Sequence, residues 1–159
     1  MGLRRYIAAQ RGRRAPTGKP IGRLLGGYTA VSMARITVVN DNPDFLDLMR
    51  AILDDLGGVE PTVLDGDQCS VEDIAATEPQ ILILDLRMAE GTLKGWDLAV
   101  LARAHDTLRH VPLIVCSGDV QTIREREAEF LRIGNIHILE KPFDLADVEA
   151  LLQSALATI

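Results

Sequence analysis

Five short apolar runs, at Ile36 to Val39, Val59 to Leu64, Ile81 to Leu84, Val111 to Cys116 and Ile136 to Leu139, alternate with segments whose apolar residues recur at helical spacing. Runs this short, rich in Val, Ile and Leu, are the pattern of strands buried on both faces. The intervening segments carry their own start and stop signals. In the first, Phe45, Leu48, Met49, Ile52, Leu53 and Leu56 share one stripe, with Asn42 at the N-cap, Pro43 at the first helical position and Gly57 just past the end. Ser70 with Asp73 opens a second helix that ends before Pro79, and Trp96 to His105 forms an apolar third. Val120 to Ile133, stopped by Gly134, is a charged fourth, and Asp144 with Asp147 caps a fifth over Leu145 to Leu156.

Five strands alternating with five helices imply an α/β fold, because each crossover between parallel strands returns over the sheet and covers one of its faces. Pro61 constrains the order. A proline cannot donate to a ladder and is tolerated at an edge, so the second strand lies outermost, as in the flavodoxin-like doubly wound sheet of order 2-1-3-4-5.

Charge divides the chain. Residues 1–33 hold Arg4, Arg5, Arg11, Arg13, Arg14, Lys19 and Arg23 and no acid, a charge of +7; since the whole chain is −6, residues 34–159 carry −13. A Gly- and Arg-rich stretch without an apolar period is expected to be disordered, which predicts a basic N-terminal extension over 1–33 and one folded domain over 34–159. Binding of nucleic acid or anionic lipid, an organelle transit segment, and an upstream stretch without function ahead of Met33 are all compatible with that composition. The extension lacks the apolar centre of a secretory signal, and no apolar run approaches the roughly 20 residues that span a bilayer. Cys69 and Cys116 are far apart, the second within an apolar run, and read as reduced thiols.

The strand ends carry the chemistry. In the order 2-1-3-4-5, ligands bind at the carboxyl ends beside the switch between strands one and three. Strand one ends in Asn40 and Asp41, strand three in Asp85, strand four in Ser117 and strand five in Lys141, followed by Pro142. Two carboxylates helped by a backbone carbonyl make a hard oxygen site suited to Mg²⁺. Asp85, central in the sheet, can act as a nucleophile toward a phosphoryl group, with Lys141 neutralising charge and Ser117 donating a hydrogen bond. Plainer readings exist one by one: Asp41 as a helix cap, Ser117 as a turn former, Lys141 as a solvated charge, Trp96 as a core anchor. An aspartate-nucleophile hydrolase is disfavoured, because such enzymes place Asp-x-Asp after the first strand. His105, His110 and His137 lie away from the rim.

Taken together, the string Val38 to Asp41, "LILDLRM" from Leu82 to Met88, "VCSG" from Val115 to Gly118 and "EKPF" from Glu140 to Phe143 resemble the receiver domain of two-component response regulators, over Ala34 to Ile159. The resemblance implies that Asp85 accepts a phosphoryl group, that Asp41 and Asp85 bind Mg²⁺ with the backbone carbonyl of Arg87, that Ser117 is the switch hydroxyl, that Lys141 contacts the phosphoryl oxygens, and that a cis bond precedes Pro142. It implies a cytoplasmic, non-enzymatic switch whose partners are a histidine kinase or phosphotransfer protein and a downstream protein. It is compatible with a homodimer and gives the domain no nucleic-acid role. With nothing after the fifth helix, a stand-alone regulator is expected; the alternative is a degenerate receiver that binds a partner constitutively.

Four positions depart from the family pattern. Asn40 stands where a second acid is common, in a metal role that an amide oxygen can fill through water. Ala89 replaces a proline, the loop to Gly95 is about two residues longer than usual, and Ile138 replaces the aromatic switch residue. Arg87 and Asp119, two beyond the acceptor and two beyond the switch hydroxyl, flank the path of the hydrolytic water in such domains. Their opposite charges predict a bidentate pair and a long-lived phosphoaspartate.

Overall fold

A computed structural model describes residues 33–159, so the disorder expected over 1–33 falls, Met33 apart, outside the described residues. The chain runs β1 (Ala34–Asn40), α1 (Pro43–Leu56), β2 (Val59–Asp65), α2 (Val71–Ala76), β3 (Ile81–Asp85), α3 (Lys94–Ala104), β4 (Leu113–Ser117), α4 (Val120–Glu125), α5 (Glu127–Ile133), β5 (Ile136–Glu140) and α6 (Leu145–Leu156). The five strands form one parallel sheet in the order 2-1-3-4-5, with Pro61 on the outer strand β2 as its chemistry predicts.

Side-chain parity splits the core into two layers. Ile36 and Val38 of β1 and Ile83 of β3 pack with Met49 and Leu53 of α1 and Leu152 of α6. Their strand neighbours Val39, Leu82 and Leu84 face Ile74 of α2, Leu98 of α3 and Phe130 of α5. Both faces of the sheet are therefore dry, which accounts for the absence of polar alternation. The helix starts follow local signals: Asn42 accepts from the N–H of Asp44 at 2.9 Å, and the pairs Ser70/Asp73 and Asp144/Asp147 form reciprocal capping boxes.

The fourth predicted helix is instead two, α4 and α5, which makes six helices among the described residues. The break falls at Arg126, whose ψ of 15° leaves the helical range while its guanidinium lies over the Trp96 ring, 5.5 Å from the centroid, and pairs with Glu129 at 2.9 Å. Strand β4 starts at Leu113 rather than Val111. The carbonyl of Val111 turns instead to the guanidinium of Arg103, which also takes those of Leu108, Gly134 and Asn135 at distances up to 3.3 Å. Burial lowers Arg103 to about 10, so it remains charged at neutral pH. Cys116 is fully buried, and desolvation pushes its thiol up to about 12, as befits an inert core thiol.

His137, 3% exposed on β5, is held below its ordinary 6.5 by desolvation. The folded chain keeps the ring neutral where the unfolded chain protonates it. The stability this contributes is present above about pH 6.5 and is lost as pH falls through the lowered folded value, at no more than about 1.4 kcal/mol per pH unit. Urea denaturation from neutral pH down to about pH 5 should show a shallower acid loss in His137→Leu than in wild type; parallel curves would contradict this.

Candidate functional site

Register brings the polar strand ends to one rim. Val39 pairs with Leu84, Asp85 with Cys116 and Ser117 with Glu140, so Asn40, Asp41, Asp85, Ser117 and Lys141 leave the sheet along the same edge. The Asp85 side chain is 12% exposed. Its Oδ2 accepts from Lys141 Nζ at 2.6 Å and from Asn40 Nδ2 at 3.0 Å, and its Oδ1 accepts from the Arg87 N–H at 3.2 Å. The Lys141–Pro142 bond is cis, and the Lys141 ammonium lies 4.7 Å from the centroid of the Phe45 ring, which meets Phe143 edge-on. A carboxylate and an aromatic face together fix the ammonium.

Asn40 is buried, and its two ends are committed. Oδ1 accepts from the Asn42 N–H at 2.8 Å while Nδ2 donates to Asp85. A backbone donor on one side and a carboxylate on the other permit only this orientation. Oδ1 keeps a second lone pair for the water-mediated metal role expected of it, and the contact not foreseen is the other one: Asn40 presents a donor to Asp85 where an acid would present a second negative charge. Asn40→Asp would set two carboxylates face to face, so Mg²⁺ should bind roughly tenfold tighter and the metal-free fold should melt lower. Mg²⁺ titrations followed by Trp96 fluorescence and melting with and without the ion measure both; unchanged affinity would remove Asn40 from the site.

The oxygen donors fit a hard cation. Asp41 is half-buried at the exit of β1, and Asp85 Oδ1 carries one hydrogen bond at 3.2 Å and so retains acceptor capacity. These two carboxylates and the Arg87 carbonyl are the residues that would hold Mg²⁺, with water completing the shell. No group of three or more His, Cys, Asp or Glu side chains converges among the described residues.

Ser117 is buried, and its Oγ accepts from the Asp119 N–H at 2.9 Å. Asp119 caps α4. Its Oδ1 accepts from the Thr122 N–H at 3.0 Å and its Oδ2 from the Thr122 hydroxyl at 2.6 Å and from Arg87 Nε at 2.7 Å. The Thr122 hydroxyl and N–H, then Arg87, hold the Asp119 carboxyl down at about 2. The predicted Arg87–Asp119 pair is thus present, but through one carboxylate oxygen rather than as a bidentate fork. The remaining guanidinium donors go to the Gly91 carbonyl at 2.8 Å and to Thr122 Oγ1 at 3.0 Å.

Three features of the site were not foreseen. Thr122 completes the Arg87–Asp119 contact, and its place three residues after an N-cap aspartate is the available signal. Gly95, in the first turn of α3, lies directly against Asp85, where a Cβ would overlap the Asp85 carbonyl oxygen. Gly66 leaves room beside the Asn40–Asp41 peptide, which a Cβ would approach to 3.1 Å. Ile138 is buried in the layer that contains Trp96 and Phe130, rings in edge contact at 4.9 Å.

The family model for the response regulator receiver domain matches residues 36–153. The chain is 30% identical over 125 residues to the nitrogen assimilation regulatory protein NtrX of Azorhizobium caulinodans, covering 78% of this chain and 26% of that protein. It is 29% identical over 122 residues to the regulatory protein AtoC of Escherichia coli, covering 77% of this chain and 25% of that protein. It thus spans about a quarter of the length of the curated relatives it matches. The receiver domain of the Pseudomonas aeruginosa sensor histidine kinase PA1611, solved with a magnesium ion coordinated in its active site cleft, is similar at 28% identity with a TM-score of 0.65, covering 78% of this chain and 98% of that one.

Proposed function

This chain belongs to the family of response regulator receiver domains, modules of two-component signalling, and from that premise we propose that residues 34–159 form a switch that takes a phosphoryl group onto Asp85 from a histidine kinase or phosphotransfer protein and signals by protein contact. The observation that carries this reading is the Asp85 carboxylate at the end of the central strand, 2.6 Å from the Lys141 ammonium, with the Ser117 hydroxyl at the end of the adjacent strand.

An ionised carboxylate is its own nucleophile and needs no base. One Asp85 oxygen attacks phosphorus, the phosphorus–nitrogen bond of the donor phosphohistidine breaks, the departing imidazole takes a proton from solvent, and an acyl phosphate remains. Lys141 offsets the charge gathering on the transferring oxygens. Ser117 Oγ accepts from Asp119, which leaves its own proton available to a phosphoryl oxygen. Mg²⁺ bound by Asp41, Asp85 and the Arg87 carbonyl would supply further neutralisation of those oxygens.

Incubation with acetyl phosphate and Mg²⁺, read by intact mass, should add one phosphoryl group. No gain would favour the second reading, a degenerate receiver that binds its partner constitutively, to which Asn40 lends support by satisfying Asp85 without a metal. The Arg87–Asp119 pair bears on signal lifetime. Its side chains are 43% and 28% exposed, so its contribution to folding is small, on the order of 0–1 kcal/mol. Its effect should lie in kinetics, as an obstruction to water approaching the acyl phosphate. Decay in Mg²⁺ should accelerate roughly three- to tenfold in Arg87→Ala and Asp119→Ala, about 1 kcal/mol of barrier, with the double variant less than additive. Equal rates in all four proteins would contradict the gate.

A further inference from the structure

The loop after Asp85 is strained. Ala89, Glu90 and Gly91 follow one another at φ values of 49°, 61° and 86°. A left-handed conformation costs a non-glycine residue roughly 1–2 kcal/mol, so Ala89 and Glu90 need contacts that hold them there. The Met88 N–H reaches the Thr92 carbonyl at 3.0 Å and the Thr92 hydroxyl returns to the Met88 carbonyl at 2.9 Å, which closes the loop on itself. Outside the loop, Met88 is anchored in the buried layer and Arg87 Nη1 donates to the Gly91 carbonyl at 2.8 Å. The same guanidinium joins Asp119 and Thr122 in a three-membered ring of side chains at the first turn of α4.

Arg87 is also tied to the acceptor by two routes. Its N–H donates to Asp85 Oδ1, a bond that weakens when acylation removes the carboxylate charge. Its partner Asp119 donates its N–H to Ser117 Oγ, the hydroxyl at the end of the strand beside Asp85.

We propose that Arg87 is the positioning residue that carries the state of the Asp85 site outward, locking the segment Met88–Thr92 and helix α4 together so that they respond as one unit. The inference rests on Asp85 being the phosphoacceptor. Lysine cannot substitute, because an ammonium lacks the planar fork that spans three acceptors on two segments.

Hydrogen exchange on the full chain tests this, in wild type, Arg87→Lys and Arg87→Ala, each before and after acetyl phosphate with Mg²⁺, with phosphoryl content read by intact mass in parallel. Before phosphorylation, both variants should exchange about three- to tenfold faster at residues 88–93 and at 120–125 together, the loss of a partly exposed charged hydrogen-bond cluster. Phosphorylation should change both segments in wild type and leave them independent in the variants. Mass gain with the same linked response in Arg87→Ala as in wild type would overturn the proposal while leaving the acceptor in place. Mass gain in none of the proteins would overturn the acceptor reading and the relay with it.

Discussion

Asp85→Asn should take up no phosphoryl group from acetyl phosphate under conditions that label the wild type, while it still unfolds in one cooperative transition at a lowered temperature. The loss is complete because a carboxamide does not displace at phosphorus, and the carboxylate removed is the one that meets both Lys141 and Asn40. The fold survives for a countable reason. Asp85 meets N–H donors at both oxygens, Lys141 and Asn40 at one and Arg87 at the other, so an amide must turn its own NH₂ toward one of them. That unmade bond costs about 1–3 kcal/mol against a typical domain stability of about 5–15 kcal/mol. Lys141, one-third exposed, can return its charge to water. An Asn variant that gains phosphate to wild-type yield would assign the acceptor elsewhere.

Gly95→Ala should damage stability and the site together. The added Cβ falls on the Asp85 carbonyl oxygen, which is backbone and cannot swing aside. Either α3 draws back from the sheet or the end of β3 moves. The first unpacks Trp96 and Leu98, neighbours of Gly95 in the buried layer. The second shifts Asp85 against an ammonium 2.6 Å away. Overpacking of this kind costs about 1–3 kcal/mol, and misplacement of a reacting group by about 1 Å can cost on the order of 100-fold in rate. Urea denaturation and the initial rate of labelling measure the two effects. Wild-type values of both would mean that α3 tolerates the methyl group and that Gly95 does not position the acceptor.

What was legible in the sequence was whatever local chemistry decides. Strand positions followed from short apolar runs, the sheet edge from Pro61, and three helix starts from Asn42, Ser70/Asp73 and Asp144/Asp147, because a cap is a contact between near neighbours. The convergence of Asn40, Asp41, Asp85, Ser117 and Lys141 on one rim followed from strand order alone. What escaped was decided across the fold. The break at Arg126 has no glycine or proline to announce it and coincides with the contact on Trp96. The direction of the Asn40 amide depends on Asn42 on one side and Asp85 across the sheet on the other. The charges of Arg87 and Asp119 suggested a pair, but competition from Gly91 and Thr122 for the same guanidinium could be seen only once the loop and α4 were placed.

Chemical mapping of the phosphoryl group tests the central claim most directly. Wild-type protein labelled with acetyl phosphate is reduced with borohydride, which converts an acyl-phosphorylated aspartate to homoserine, and is then digested and sequenced by mass spectrometry. The account predicts homoserine at position 85 alone, in a yield that collapses when Mg²⁺ is chelated. Homoserine at another aspartate, a yield indifferent to the metal, or intact Asp85 throughout would contradict it.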